Sequence, residues 1–249
     1  MAYEFLSLQG KASLARNIDG KTAVLTELGN LTDLTLGIAT ETTKIKETKT
    51  GQRQDVLEIG KSKEVSVEMT LNEQTRHDVA LAFSAEVFGT QGKVVFEHEL
   101  NTGTLKVGDK VKLGGFNLSE LVIKGNDGTT LELGKHYTAD LKYGTFHIVS
   151  LDGVLQPLKA SFKEGDIQSS VMFSLPANAE YYFLFEGINS IDNNKLAVEL
   201  WRFKPSANGN MGFINEEIGE LQIKGICLAD TKKQEDAKLG GFGRIVYLD

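Results

Sequence analysis

The sequence predicts a mainly β protein, and three observations support this. Apolar and polar residues alternate along 32–41 and again along 64–71, as in strands with one buried and one wet face. The chain has 26 glycines and 3 prolines, a profile suited to many turns and bulged strands. Helical periodicity is confined to one segment, 72–89. We therefore expect sheets built from hairpins with one flanking helix.

Composition narrows the possible classes of protein. At 249 residues, with 41% hydrophobic and 24% charged residues, the chain can form one large all-β domain or two small ones. It lacks both an apolar run of about 18 residues and a secretory signal at its start, so we expect no membrane and a cytoplasmic site of synthesis. The single cysteine, Cys227, is expected to be a small buried hydrophobe. A net charge of −7 argues against tight binding of nucleic acid.

The first strong element is a long hairpin. Leu34, Leu36 and Ile38 point to one face, and Val65–Leu71 alternates in the same way. The connection Lys44–Asp55 is charged and has almost nothing to bury in its own subunit. Such a connection is either disordered or ordered by a partner, which favours an assembly subunit over an enzyme.

A helix is predicted after the hairpin. Asn72 is a good N-cap, and Gly89 is a plausible stop. The apolar residues between them share one helical face, and they are Val79, Ala82, Phe83 and Val87. This face is expected to pack against the sheet.

The rest of the chain is predicted to be β-rich. We interpret 1–249 as one domain in which 93–156 is an additional segment, either inserted outside the main fold or part of it. In this segment 94–100 and 121–124 are predicted strands, and 137–149 is a hairpin around Tyr143-Gly144. Further strands are predicted at 181–185, 196–203, 219–226 and 242–248, with a charged surface loop at 230–238.

No catalytic or cofactor motif is visible, so we expect neither enzyme activity nor a cofactor or metal. The four histidines lie in separate elements without metal-ligand spacing, and they are His77, His98, His136 and His147. The glycine-rich stretch 240–244 precedes a strand rather than a helix that could bind phosphate. The acidic pair Glu216-Glu217 is interpreted as a solvated turn.

Several stretches in consistent order resemble the major tail tube proteins of long-tailed, siphovirus-like bacteriophages. They are Leu31-Thr32-Asp33-Leu34-Thr35-Leu36, Thr50-Gly51-Gln52-Arg53, Gly60-Lys61-Ser62, Leu71-Asn72-Glu73, Gly134-Lys135-His136-Tyr137-Thr138-Ala139-Asp140, Tyr181-Tyr182-Phe183-Leu184-Phe185-Glu186-Gly187-Ile188-Asn189 and Gly219-Glu220-Leu221. Together they touch most of the chain.

The resemblance implies an antiparallel β-sandwich or half-barrel with a flanking α-helix. In that family, six copies form a ring whose inner sheets close into a β-barrel, and the rings stack into a tube that conducts genomic DNA from capsid to host. The implied partners are further copies of the chain, the tape-measure protein, and the tail terminator and distal tail proteins. The implied location is the virion tail, assembled in the cytoplasm of the bacterial host.

Two sets of site residues accompany this interpretation. The polar faces of four candidate sheet strands, 32–43, 63–71, 196–203 and 219–226, display acidic residues against Lys224 alone, and we predict that these acids line the lumen and repel DNA; they are Asp33, Glu41, Glu64, Glu68, Glu199 and Glu220. The resemblance makes the connection an inter-ring loop, with charged residues Lys44, Lys46, Lys49, Arg53 and Asp55.

Two alternatives stay open. A ring protein of a contractile injection or secretion system would share the fold. A β-sandwich adhesion or carbohydrate-binding module would instead present an exposed aromatic platform. The only tryptophan, Trp201, alternates within an apolar strand and is expected in the core.

Overall fold

The computed structural model describes residues 6–18, 21–22, 24–100, 104–206 and 210–248. Strands dominate it, as predicted. The strands are β1 (Leu8–Ile18), β2 (Lys21–Thr22), β3 (Thr26–Glu27), β4 (Leu31–Lys46), β5 (Asp55–Leu71), β6 (Glu86–Thr90), β7 (Val94–Glu99), β8 (Lys110–Lys112), β9 (Ser119–Lys124), β10 (Tyr137–Asp140), β11 (Thr145–Ile148), β12 (Lys159–Lys163), β13 (Ile167–Val171), β14 (Glu180–Asn189), β15 (Lys195–Ser206), β16 (Leu221–Cys227) and β17 (Gly243–Leu248). The helices are α1 (Arg76–Ala82) and α2 (Thr231–Gln234). Within the described ranges, neither helix is long and apolar enough to cross a membrane.

The chain forms two compact units. The first comprises Met1–Val87 and Ser170–Asp249, and the second comprises Phe88–Ser169. The predicted additional segment 93–156 lies within the second unit, which extends beyond it at both ends. The strands β6 and β13 pair with each other, and each contains one of the two points where the chain passes between the units.

The first unit is built on one nine-stranded antiparallel sheet with the order β2-β1-β14-β15-β16-β5-β4, to which β17 adds on β15 and β3 on β1. One face of this sheet carries the hydrophobic core. Its most deeply buried large side chains include Phe183, Phe203, Met69 and Ile223. Helix α1 contacts β16 and β15, and its Leu81 joins the same cluster. The sheet is open in the described residues, since β4 ends it without a further strand.

The predicted alternation of β5 is confirmed. Val65, Val67, Met69 and Leu71 are buried, and Glu64 and Glu68 are exposed. On β4, Leu34 and Leu36 pack against the core, but Ile38 is 81% exposed although its cross-strand partner Val65 is buried. The hydrophobic core ends between Leu36 and Ile38. The alternation of apolar and polar residues in β4 continues past this point, where no core residues are left to cover Ile38.

The predicted helix is shorter than expected at both ends. Its N-cap is Thr75, which forms a capping box with Asp78, rather than Asn72. Asn72 still belongs to the hairpin, because its backbone N–H donates to the carbonyl of Asn30 at 3.0 Å. The helix ends at Ala82, and both Val87, which was expected on the helical face, and Gly89, which was expected to end the helix, lie in β6. Asn72 and Thr75 could both cap the helix, and the pairing of Asn72 within the hairpin leaves Thr75 as the N-cap.

The second unit has its own core and two three-stranded sheets, β7-β12-β9 and β10-β11-β8. The predicted strands β7 and β9 and the predicted β10–β11 hairpin are confirmed. The buried residues of this core include Phe146, Ile123, Leu113 and Leu158. The Lys112 ammonium donates to the carbonyls of Leu113 and Gly115, so this cation holds two neighbouring loop carbonyls in place.

The C-terminal strands are also confirmed, with one correction between them. The segment 230–238, expected to be a loop, contains the short helix α2, which Asp230 caps by accepting hydrogen bonds from the backbone of Lys232 and Lys233. Cys227 is buried in the main core, as predicted, and burial raises the pKa of its thiol to about 12.

Candidate assembly surface

The outer half of the β4–β5 hairpin pairs with nothing but itself. Strand β16 pairs with Val65–Leu71 only, so residues 55–64 of β5 pair with β4 alone. We call residues 39–46 and 55–64 the ribbon, and residues 47–54 its turn. Every residue of the ribbon and its turn is exposed except Thr43 and Glu47, which are half-buried. The loop predicted at 44–55 is thus a turn of 47–54, and Lys44, Lys46 and Asp55 belong to strands.

The ribbon carries apolar side chains that its own subunit does not cover. Ile45, Leu57 and Ile59 are all exposed, as is Val56, which is an extra residue at a second bulge between Leu57 and Asp55. Ile45 pairs with Leu57, and Thr43 pairs with Ile59, so the three apolar side chains lie on one face of the ribbon. A two-stranded ribbon has little stability in water by itself, so the exposed apolar residues along it make it a candidate contact surface.

A β-bulge determines which face these residues occupy. Glu41 pairs with Ser62 and Thr42 with Gly60, which leaves Lys61 as an extra residue in β5. Because the side-chain period of a strand is two, the extra residue reverses the orientation of β5 relative to β4 beyond this point. Leu57 and Ile59 therefore lie on the side of the ribbon that continues the polar face of the sheet.

The basic residues of the predicted inter-ring loop are distributed over the ribbon and its turn. Lys44 Nζ lies 3.6 Å from Asp55 Oδ2. Within the described chain, no carboxylate forms an ion pair with Lys46, Lys49 or Arg53. These three cations leave the outer end of the ribbon locally positive.

Four of the six acidic residues predicted for the lumen share one face of the hairpin. Glu64 pairs with Ala39 and Glu68 with Thr35. Ala39 and Thr35 lie on the same face of β4 as Asp33 and Glu41, because they are an even number of residues away and side chains alternate between the two faces of a strand. This is the face opposite the core. Glu220 lies immediately before β16 and is exposed.

The polar face carries more positive charge than the sequence indicated. Lys224 Nζ lies 3.0 Å from Glu68 Oε2, and Lys61 Nζ lies 3.7 Å from Glu41 Oε1. Arg244 also belongs to this face, because it pairs with Glu199 across β17 and β15. Lys61 and Arg244 lie outside the four strands to which the prediction of a single base, Lys224, applied, so the face as a whole is less acidic than those strands alone indicated. Position in a lumen stays a prediction for all six acids.

Glu199 differs from the other five acids because its side chain is only 18% exposed. Its carboxylate accepts hydrogen bonds from the Tyr182 hydroxyl and from Arg244 Nε, both at 2.6 Å. Burial alone would raise the pKa of Glu199, but these hydrogen bonds and the charges of Arg244 and Lys233 outweigh it and lower the pKa. Burial and the hydrogen bond to Glu199 raise the pKa of Tyr182.

Trp201 is buried, as predicted, although it lies outside the main core cluster. Its ring stacks on Tyr182 with centroids 6.2 Å apart, and Lys233 Nζ lies 3.4 Å from the ring centroid. The indole N–H donates to the carbonyl of Gly240 at 3.1 Å. The C-terminal segment therefore covers this tryptophan, which offers no exposed platform for a sugar.

A second exposed apolar site lies at the opposite end of the hairpin. We call residues 211–218 the base loop. Within it Phe213 is 76%, Ile214 98% and Ile218 76% exposed. The acids Glu216 and Glu217 are exposed beside them. Single exposed apolar residues are ordinary on a protein surface, but three in six positions indicate a contact site.

The base loop is anchored by hydrogen bonds. Asn215 Nδ2 donates to the carbonyl of Gly212 at 2.8 Å, and Gln74 Nε2 donates to the carbonyl of Gly219 at 2.8 Å. Met211 packs against the core and forms an isolated bridge with Leu221. The apolar side chains are thus presented to solvent from an organised turn.

The outer edge of β4 is a further feature of this surface. The strand has 16 residues and ends the large sheet, with no described strand beyond it. Its backbone groups on that side have no ladder partner in the described residues. A long open edge is a template for pairing with another chain.

The histidines and acids of the described residues form no metal-binding cluster, since no group of three or more His, Cys, Asp or Glu among them could hold a metal ion. His136 is buried, and its Nδ1 accepts a hydrogen bond from the backbone N–H of Glu132 at 2.9 Å. That contact gives this histidine a structural role.

Sequence reasoning missed the apolar part of this surface. Ile45, Leu57 and Ile59 are isolated apolar residues in a charged stretch, and this was the available signal. The exposure of Phe213 and Ile214 was not predicted either. The available signal was their position next to the acidic pair Glu216-Glu217, which was interpreted as a solvated turn.

Comparison with known proteins places the chain in a family without an assigned activity. The family model described as "Protein of unknown function UCP028589" matches residues 5–246. No curated protein matches the chain.

Proposed function

We propose that this chain, which belongs to the family of proteins of unknown function UCP028589, is the structural subunit of a phage tail tube. In this proposal six copies form a ring, the large sheets of the ring close into an inner β-barrel, and rings stack into a hollow tube. The tube conducts DNA from capsid to host without binding it specifically. Tape-measure, terminator and distal tail proteins are its further proposed partners.

The ribbon is the observation that carries the proposal. It extends past the part of the sheet that covers the core, and it exposes Ile45, Leu57 and Ile59. Ordering each residue of such a segment costs about 1–2 kcal/mol, which burial in its own subunit does not offset. A partner that covers the ribbon would supply the missing burial, and a tube supplies that partner as another copy.

The open sheet supports ring formation. Within the described residues, strand β4 ends the nine-stranded sheet with a free edge of 16 residues. Closing sheets from several subunits into one barrel removes such edges. In a closed barrel, the face opposite the core would turn toward the axis.

The charges on that face support passage of DNA. Asp33 and Glu64 form no ion pair within the described residues, and Glu68 shares its charge with Lys224. Carboxylates in a narrow lumen repel phosphates, so DNA would pass without adhering. Lys61, Lys224 and Arg244 reduce this repulsion by pairing with Glu41, Glu68 and Glu199, which leaves Asp33 and Glu64 as the carboxylates of this face that would repel DNA most strongly.

Electron microscopy of the purified full chain tests the proposal. Sixfold rings or hollow tubes are the expected result. A protein that stays monomeric across the tested range of concentration and ionic strength contradicts it. Images of lysates from infected cells then distinguish a bare flexible tail from a tube inside a sheath, which would indicate a contractile system.

A further inference from the structure

We propose that the base loop of one subunit receives the ribbon and turn of a subunit in the next ring. This inference rests on the proposed tube and names the two surfaces that stack its rings. The occupant of the base loop is thus a second copy of this chain.

The two surfaces lie at opposite ends of one strand. Leu71, the last residue of β5, pairs with Leu221, the first residue of β16, and the base loop leads directly into β16. The turn 47–54 precedes the first residue of β5, Asp55. Seventeen residues separate the ends, which corresponds to about 55 Å along a strand. Copies arranged head to tail would therefore bring the turn of one to the base loop of the next.

The charges of the two surfaces are complementary. The outer end of the hairpin, residues 44–54, carries Lys44, Lys46, Lys49 and Arg53 against a single acid, Glu47. Lys46, Lys49 and Arg53 form no ion pair in the described residues. The base loop and the residues after it carry Glu216, Glu217 and Glu220, and no lysine or arginine occurs from 210 to 223. Opposite local charges favour the head-to-tail arrangement and disfavour head-to-head contacts.

The apolar residues are complementary as well. Ile45, Leu57 and Ile59 form a strip on one face of the ribbon. The base loop offers Phe213 and Ile214 in return. Burying such side chains stabilises by about 25 cal/mol per Å2 of apolar area, and the charges alone would be screened by salt. The contact combines an apolar centre with charged surroundings, as many interfaces do.

When copies of one chain bind through two different surfaces, the assembly can grow without limit. Each copy that binds through its ribbon leaves its own base loop free for the next copy. Such heterologous contacts produce open, repeating assemblies rather than closed dimers. This is the symmetry that stacking of rings requires.

Two charge-reversed variants of the full chain test the inference. Variant A carries Glu216→Lys and Glu217→Lys, and variant B carries Lys46→Glu and Lys49→Glu. Each variant alone is expected to form rings but to lose tubes, because ribbon and base loop then carry like charge. In a mixture of A and B, each ribbon meets a base loop of opposite charge, so tubes are expected to return. Sedimentation velocity and electron microscopy measure rings and tubes.

The matched control carries Glu132→Lys and Glu235→Lys, which change net charge as variant A does but at exposed residues that belong to neither the ribbon, its turn nor the base loop. It is expected to form tubes like the wild type. Thermal melts establish that A and B fold. Tubes formed by A alone, or a mixture of A and B that stays as rings, overturn the inference and leave the tube function standing. A wild-type chain that forms neither rings nor tubes overturns both.

Discussion

Lys224 and Glu68 face each other across β16 and β5, with 3.0 Å between Nζ and Oε2. The pair is separated by 156 positions in the sequence, and both side chains are partly exposed. It neutralises one carboxylate of the polar face but leaves Glu64 and Asp33 unpaired within the described residues. The acidity of this face therefore depends on a few identifiable carboxylates.

Exchanging Glu64 and Glu68 for lysine is expected to make tubes retain DNA. The exchange removes two negative charges per subunit and adds two positive ones, so a lumen built from this face would attract phosphates. Short duplex DNA present during assembly should then be protected from nuclease at low salt and released as salt rises. Wild-type tubes should protect none. Tubes of the exchanged protein whose bound DNA is fully digested would place these residues outside the lumen.

Shortening the hairpin is expected to leave a folded subunit that cannot form tubes. Thr42 and Gly60 are paired, so residues 43–59 can be replaced by Asn-Gly, which suits a two-residue hairpin turn. The removed residues contribute little burial, and the free energy of unfolding should change by about 1 kcal/mol or less. Thermal melts and electron microscopy measure the two effects.

Amide hydrogen exchange provides a second measurement on the unaltered chain. Ribbon amides should exchange fast in the isolated subunit and become protected in tubes. Normal tubes from the shortened protein, or equal exchange in both states, would remove the ribbon from the assembly contacts.

Val67→Asp is expected to abolish the folded subunit. Val67 is 0% exposed in the main core, and an unpaired carboxylate there costs about 3–5 kcal/mol. Soluble yield and a cooperative melt measure the outcome. Thr40→Asp is the matched control, since Thr40 is exposed on the ribbon opposite Lys63. A Val67→Asp protein that melts like this control would contradict the assigned core.

Glu199→Gln is expected to lower stability at neutral pH by about 1–2 kcal/mol, since it removes a charged acceptor of two hydrogen bonds. The folded pKa of Glu199 lies below its ordinary value of 4.5. Its stabilisation is therefore full above that value and is lost as pH falls through the folded pKa. The difference in Tm between wild type and variant should shrink in acid. A difference that is constant with pH would mean that the carboxylate charge contributes nothing.

The fold was predictable where pattern and burial agree over a whole element. Val65–Leu71 alternates for seven residues with one face in the core, so its orientation could be derived from period two alone. The start of α1 was not predictable in this way. Asn72 and Thr75 are both good caps, and the pairing of Asn72 with Asn30 across the hairpin decided between them.

The candidate site was predictable only in part. The basic character of the hairpin turn and the acidic residues of β4 and β5 could be predicted from the local sequence. The bulge at Lys61 could not be predicted from the sequence, and it reverses the faces on which Leu57 and Ile59 lie. The contact of Arg244 with Glu199 could not be predicted either, because the two residues are 45 positions apart. This contact neutralises one acid of the polar face.

By itself the sequence determined the β class, the long hairpin and the buried face of Val65–Leu71, because these follow from periodicities within a few neighbouring residues. Tertiary structure alone decided which strands adjoin. The pairing of Leu71 with Leu221 places the base loop at one end of β5 and the ribbon at the other. Such long-range pairing depends on how distant segments share one core, and no local pattern encodes it.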